Sequence, residues 1–107
     1  MKDTFFNQDE TEPIIADVIR KNYKNDFVPH KEIVEALLDD PIGKDLVERA
    51  CQEQKRQTSN RWSANKMASN MVQWFSKRIT DHDSRYERQF ERSKFRGGWA
   101  YKPRQKT

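Results

Sequence analysis

The residues best suited to recognition chemistry form a polar stripe between positions 60 and 80, a stretch that contains no Asp or Glu. Asn and Gln side chains can pair with the edge of adenine, and Lys can reach guanine or a phosphate. An ordinary solvated helix face more often mixes Glu with Lys, because opposite charges four residues apart support a helix. The absence of acid therefore favours contact with bases in a major groove. The stripe consists of Asn65, Lys66, Ser69, Asn70, Gln73 and Lys77.

A second group of cations follows, in which basic residues alternate with aromatic ones around Gly97-Gly98. This pattern is typical of two strands joined by a tight turn. Basic side chains on a hairpin could follow a phosphate backbone or enter a minor groove, although edge strands also carry Lys and Arg to prevent aggregation. The interleaved aromatic residues Phe90, Trp99 and Tyr101 are expected mainly in the core, with stacking on bases as the alternative. The basic residues are Arg85, Arg88, Arg92, Lys94 and Arg96, followed by Lys102, Arg104 and Lys106.

Charge is sorted along the chain of 107 residues, whose formal net charge is +4. Residues 1–54 hold seven Lys or Arg against thirteen Asp or Glu, a net charge of −6, whereas residues 55–107 hold fourteen against four, a net charge of +10. A basic segment of this kind favours a polyanionic partner, because each neutralised phosphate releases condensed counterions. A merely soluble basic face is the alternative. The acidic half could serve a homodimer or a protein partner.

Catalytic and metal-binding motifs are not visible in the sequence. Cys51 is the only cysteine, so no internal disulfide and no zinc site built on paired cysteines can form, and a reducing cytoplasm is the expected location. His30 and His82 have no Cys or His at metal-ligand spacing, and acidic residues 39–48 are expected to cap helices rather than to hold a metal. No apolar run approaches the roughly 18 residues of a membrane span. We therefore expect a non-enzymatic, cytoplasmic protein without cofactor, metal or membrane partner.

The elements that must position these side chains are mainly helical. Apolar residues recur at helical spacing in four segments. Thr11 is expected to cap the first of them, and Ser59 or Asn60 the last. Residues 52–59 contain no large apolar side chain and are expected to form a fraying helix end followed by a connector. The four predicted helices are residues 12–23, 30–39, 41–51 and 60–80.

One domain is predicted, over residues 11–103, because a chain of this length supports a single core. A flexible arm of residues 1–10 would precede it, and a basic tail of residues 104–107 would follow. The predicted fold class is α+β, mostly α, with three to four helices and a C-terminal two-stranded β-hairpin within residues 85–101.

This order of elements resembles the winged helix-turn-helix superfamily. In that resemblance residues 27–29 correspond to the small first strand, residues 60–80 to the recognition helix and residues 86–101 to the wing. The resemblance implies double-stranded DNA as the partner, with bases contacted by Asn65, Lys66, Ser69, Asn70 and Gln73. It implies backbone contacts by Lys77, Arg92, Lys94 and Arg96. One departure is the segment 41–59, which is longer than the usual turn before a recognition helix.

Two functions follow from these patterns. The leading hypothesis is a small DNA-binding regulator of transcription. The alternative is a protein-protein interaction module of winged-helix form, because a fold does not settle function. In that case Phe5, Phe6, Trp62 or Trp74 would be exposed anchors, since interfaces favour aromatic residues.

Overall fold

Four helices and three strands make up the architecture, so the predicted class, α+β and mostly helical, is confirmed. The computed structural model describes residues 5–24, 26–58, 61–80, 89–95 and 98–103. The elements are α1 (Gln8–Asn22), β1 (Val28–Pro29), α2 (His30–Asp39), α3 (Pro41–Gln57), α4 (Ala64–Thr80), β2 (Phe90–Phe95) and β3 (Gly98–Pro103).

The strands form one antiparallel sheet in the order β1-β3-β2. Strands β2 and β3 pair antiparallel, but the sheet has three strands rather than the predicted two, because the short strand β1 pairs with β3, with Val28 opposite Tyr101. In the hairpin, Arg92 lies opposite Tyr101 and Lys94 opposite Trp99. Side chains at positions two apart share one face of a strand, so Arg92 and Lys94 lie on the same face of β2.

Helix α1 begins four residues earlier than the apolar spacing indicates. Its N-cap is Asn7, whose side-chain oxygen accepts a hydrogen bond of 2.9 Å from the backbone N–H of Asp9. Thr11, the expected cap, is instead buried inside the helix and donates its hydroxyl to the carbonyl of Gln8. The start signal was therefore an Asn followed by acidic residues, which suit the positive end of the helix dipole.

Helix α3 continues as a regular helix to Gln57, through most of the segment predicted to be a fraying helix end followed by a connector. The polar side chain of Gln54 is 1% exposed, so it is buried where an apolar side chain would be expected. Its amide donates to the hydroxyl of Thr58 at 2.6 Å and accepts from the backbone N–H of Trp62 at 3.0 Å. Gln54 thus joins the end of α3 to the chain that leads into α4.

Helix α4 begins at Ala64, four residues after the predicted start. Ser63 occupies the capping position, because its hydroxyl oxygen accepts from the backbone N–H of Lys66 at 3.1 Å and its carbonyl accepts from that of Met67 at 3.0 Å. The apolar face of α4 is fully buried, as its three- and four-residue spacing predicts. The residues of that face are Met67, Ala68, Met71, Val72 and Phe75, each at most 1% exposed.

The core lies between α4, the other three helices and the sheet. Phe75 of α4 packs edge-to-face on Phe90 and Tyr101, with ring centroids 5.6 and 6.5 Å away. This contact fixes the sheet against the helix. Phe5 and Phe6 are partly buried against the same core, and Phe5 meets Trp62 edge-to-face at 5.5 Å. Among the described residues, no helix is both long enough and apolar enough to cross a membrane.

Candidate nucleic-acid interface

The polar stripe predicted on the long helix lies on the open side of α4. Asn65, Lys66, Gln73 and Lys77 are exposed, while Ser69 and Asn70 are half-buried at the margin of the stripe. Their spacing of three and four residues places them on one face, opposite the buried methionines. The stripe is therefore available to a partner along the length of the helix.

Tryptophan rings hold the cations of this surface. The ammonium of Lys66 lies 4.6 Å from the ring centre of Trp62, and that of Lys77 lies 5.2 Å from Trp74. On the sheet, Trp99 is contacted by the guanidinium carbon of Arg92 at 3.8 Å and by the ammonium of Lys94 at 5.0 Å. A cation on a ring gains about 0.5–1 kcal/mol at an exposed site, and its positive charge is not neutralised.

Carboxylates pair with other cations of the protein. Every ion pair within the described residues involves Lys21, Arg49, Arg56 or Arg78. In the most buried of them, the guanidinium of Arg78 meets the carboxylate of Glu12, which joins α4 to α1. None of the four cations on tryptophan rings has a carboxylate partner in that part of the chain. These four cations therefore have no ion-pair partner within the described residues, although Lys94 also lines a second cleft with Asp26 and Glu32, and we call them the cationic face (Lys66, Lys77, Arg92 and Lys94).

A cleft of about 270 Å³ lies where α4 meets the sheet and the start of α2. Arg92 crosses it, with its guanidinium donating to the hydroxyl of Ser76 at 2.5 Å. The lining contains no carboxylate. It consists of His30, Gln73, Ser76, Lys77, Arg92, Trp99 and Tyr101.

Two titratable groups at the bottom of the cleft are shifted by burial. Burial lowers the pKa of His30 from its ordinary value, so the neutral imidazole is favoured. The Nε2 of His30 lies 2.9 Å from the hydroxyl of Ser69, a contact that joins α2 to α4. Burial also raises the pKa of Tyr101, with the Ser76 hydroxyl and the Arg92 charge acting in the opposite direction. The Tyr101 hydroxyl lies near Ser76 without a hydrogen bond of good geometry to any described residue.

The structure brings most of the predicted site residues onto one surface. Lys77 and Gln73 of α4 line the same cleft as Arg92 of β2, and Lys94 shares the Trp99 ring with Arg92. Arg96 lies outside the described residues. Ser69 differs from the expectation of a free base-contacting hydroxyl, since it already bonds to His30.

Sequence reasoning missed His30, Ser76 and the role of the tryptophans. His30 and Ser69 are 39 residues apart, and Arg92 and Ser76 are 16 apart, so no local spacing signals either pair. The tryptophans carried a weak signal, because Lys66 and Lys77 follow Trp62 and Trp74 at the four- and three-residue spacing of helix neighbours. Among the described residues, no three His, Cys, Asp or Glu side chains are placed to hold a metal ion.

Comparisons of the chain with protein-family models, with curated proteins and with solved structures gave no significant match.

Proposed function

We propose that this protein binds double-stranded DNA, as a small regulator of transcription with winged-helix architecture. In this proposal α4 enters the major groove and the β2-β3 hairpin contacts the backbone or the minor groove. Asn65, Asn70 and Gln73 would contact base edges, since Asn and Gln can pair with adenine through two hydrogen bonds. Lys77, Arg92 and Lys94 would neutralise phosphates.

The arrangement of elements supports the winged-helix part of the proposal. A helix, a short strand, further helices and a terminal hairpin follow one another, and the short strand pairs with the last strand of the hairpin. Helix α4 packs on α2 and exposes its polar stripe beside the hairpin. The long α3 is an additional element, and it extends the distance in sequence between α2 and α4.

The observation that carries the proposal is the separation of paired from unpaired cations. Lys21, Arg49, Arg56 and Arg78 meet carboxylates, while the four cations of the cationic face lie on tryptophan rings and have no ion-pair partner within the described residues. Like charges that are gathered without an acid repel one another, and a polyanion removes that repulsion on binding. A duplex carries a phosphate charge about every 1.7 Å of its axis, so it can neutralise several cations of this face at once. A single acidic side chain can neutralise only one of them.

Selection from a random duplex library at near-physiological salt tests the proposal. We expect an enriched sequence for the wild-type chain and a changed preference at one or two positions for Gln73→Ala, because Gln73 is exposed on the polar stripe. Lys77→Gln is expected to weaken binding to all sequences alike, since a phosphate contact carries no sequence information. Lys44→Gln is the matched control: it removes one exposed charge from α3 and should leave affinity and preference unchanged.

Retention of no duplex even at 50 mM salt would exclude DNA binding by this chain. A preference that is identical for the wild type and for Gln73→Ala, despite tight binding, would place base contacts away from α4.

The alternative, a protein-interaction module, has less support in the structure. Trp62 is half-buried against the core and against Phe5, and Trp74 is partly covered by Lys77. Among the described residues, the exposed large hydrophobic side chain is Ile42, which is 64% exposed. A single exposed aliphatic residue is ordinary for a protein surface.

A further inference from the structure

We propose that the cleft between α2, α4 and the sheet is a seat for one phosphate group, held by Arg92 and Lys77 and by the hydroxyl of Tyr101. The inference rests on the proposed function, because the nucleic-acid backbone is one of two sources of such a group; a small phosphorylated molecule is the other. It goes further than general attraction to DNA, since it assigns a defined site that takes a single phosphate.

The charges around the cleft favour an anionic ligand. Arg92 is half-buried, and among the described residues its partners are a hydroxyl and an aromatic ring. Lys77 lies on the facing helix, and His30 stands at the start of α2, where the helix dipole is positive. Withdrawing a cation such as the half-buried Arg92 from water without an opposite charge is unfavourable, so a protein usually places an acid beside it. No acid lines this cleft, and an anion from outside supplies what is missing.

Arg92 is already held in a geometry that suits phosphate. Its guanidinium is fixed from one side by the Ser76 hydroxyl and from one face by the Trp99 ring, 3.8 Å away. A guanidinium carries five N–H donors in a rigid fork, and the bond to Ser76 uses one end of that fork. The remaining donors can form the paired hydrogen bonds with which arginine binds a phosphate. A fixed side chain also loses less entropy on binding than a free one.

Tyr101 gives a second and independent sign of a ligand. Its side chain is fully buried and lines the cleft, yet its hydroxyl has no hydrogen bond of good geometry within the described chain. A buried hydroxyl without a partner is costly and is expected to have one in the working state of the protein. A phosphate oxygen bound by Arg92 would accept from this hydroxyl, because Arg92 lies opposite Tyr101 in the β2-β3 ladder.

The volume of the cleft agrees with this ligand. About 270 Å³ equals roughly nine water molecules, at about 30 Å³ for each in the liquid. Such a space admits a phosphate together with part of a sugar or a few waters, and it is open on one side to the face that carries the polar stripe. A nucleic-acid backbone that follows α4 could place one phosphate in the cleft without leaving the helix.

The test is a titration of the full chain with inorganic phosphate at constant ionic strength, followed by NMR through the indole N–H of Trp99. We expect a saturable shift at millimolar phosphate that chloride does not produce. Arg92→Gln should weaken phosphate binding at least about tenfold, the size of a lost charge-assisted hydrogen bond. Tyr101→Phe keeps the buried ring and should weaken it by about two- to tenfold. Lys44→Gln, which lies outside the cleft, should bind as the wild type does.

A duplex titration then identifies the source of the phosphate. If DNA displaces inorganic phosphate and both Arg92→Gln and Tyr101→Phe weaken DNA binding, the seat holds a backbone phosphate. If phosphate binds but the protein retains no duplex, or retains it with unchanged affinity in both variants, the seat stands and its source is a small phosphorylated molecule. If Trp99 shows no saturable shift, or if Tyr101→Phe folds normally and binds phosphate as tightly as the wild type, the seat as described is wrong, even where DNA binding persists.

Discussion

Removing two charges from the cationic face should change the salt dependence of DNA binding by a defined amount. The double variant Lys77→Gln, Lys94→Gln takes one charge from α4 and one from β2, and neither residue has a carboxylate partner within the described chain. Each phosphate neutralised contributes about 0.9 to the slope of log affinity against log salt. The three cations of the face assigned to phosphates, Lys77, Arg92 and Lys94, give a slope of about −2.7, and the double variant should give about −0.9.

These slopes translate into affinities that are easily separated. Between 50 and 200 mM salt, the wild type should lose about 40-fold in affinity and the double variant about 3.5-fold. Fluorescence anisotropy with a labelled duplex at several NaCl concentrations measures both values. Contacts made by basic residues outside the described ranges would add equally to both slopes, so the difference of about 1.8 is the quantity tested.

The control removes the same number of charges elsewhere. Lys21→Gln with Lys44→Gln takes two exposed cations from α1 and α3, and it should leave the slope unchanged. A double variant that binds more weakly but keeps the wild-type slope would refute the assignment, because Lys77 and Lys94 would then act through the fold rather than through phosphates. Equal loss of slope in the control would also refute it, since the attraction would belong to net charge and not to this face.

Three further predictions concern the residues that set this face in place. His30→Gln should reduce the pH dependence of stability. Burial lowers the pKa of His30, so the unfolded chain binds the proton first and the stability of the wild type falls as pH drops below about 6.5. Urea unfolding at several pH values measures this effect. Gly43→Ala should destabilise the protein by about 1–3 kcal/mol in thermal unfolding, although alanine is the better helix former, because the added Cβ would lie 2.3 Å from the carbonyl oxygen of Leu37. Gln54→Ala should cost about 1–3 kcal/mol in urea unfolding, because it leaves the buried N–H of Trp62 without an acceptor, and a cost below a few tenths would contradict that role.

The core of α4 could be predicted because apolar spacing is a local property of the chain. Met67, Met71 and Phe75 recur every four residues, and any apolar surface that packs against this face of α4 can bury them. The same spacing placed Asn65 and Gln73 on the exposed side, where the structure has them. Regular elements with one apolar face can be found in this way, whatever they pack against.

Helix ends could not be predicted as well, because polar side chains decide them. Asn7, rather than Thr11, caps α1, and both are residue types suited to the position. Gln54 keeps α3 helical past the last apolar residue through two hydrogen bonds to residues that follow the helix. Gly43 is the residue that allows α3 to approach the carbonyl of Leu37, where an added Cβ would lie 2.3 Å from the oxygen. Each of these depends on a contact that only the folded chain provides.

The cationic face combines both kinds of information. The segregation of charge along the sequence predicted where positive residues would be in excess, but it could not say which of them would be neutralised. In the folded chain, acidic residues of the first half meet cations such as Arg49 and Arg78, which removes those cations from the electrostatic field. The four cations of the cationic face lie on tryptophan rings, which orient a charge without cancelling it. An arrangement that fixes cations and leaves them uncompensated is what a polyanion requires, because preorganised charges bind it without first breaking an ion pair.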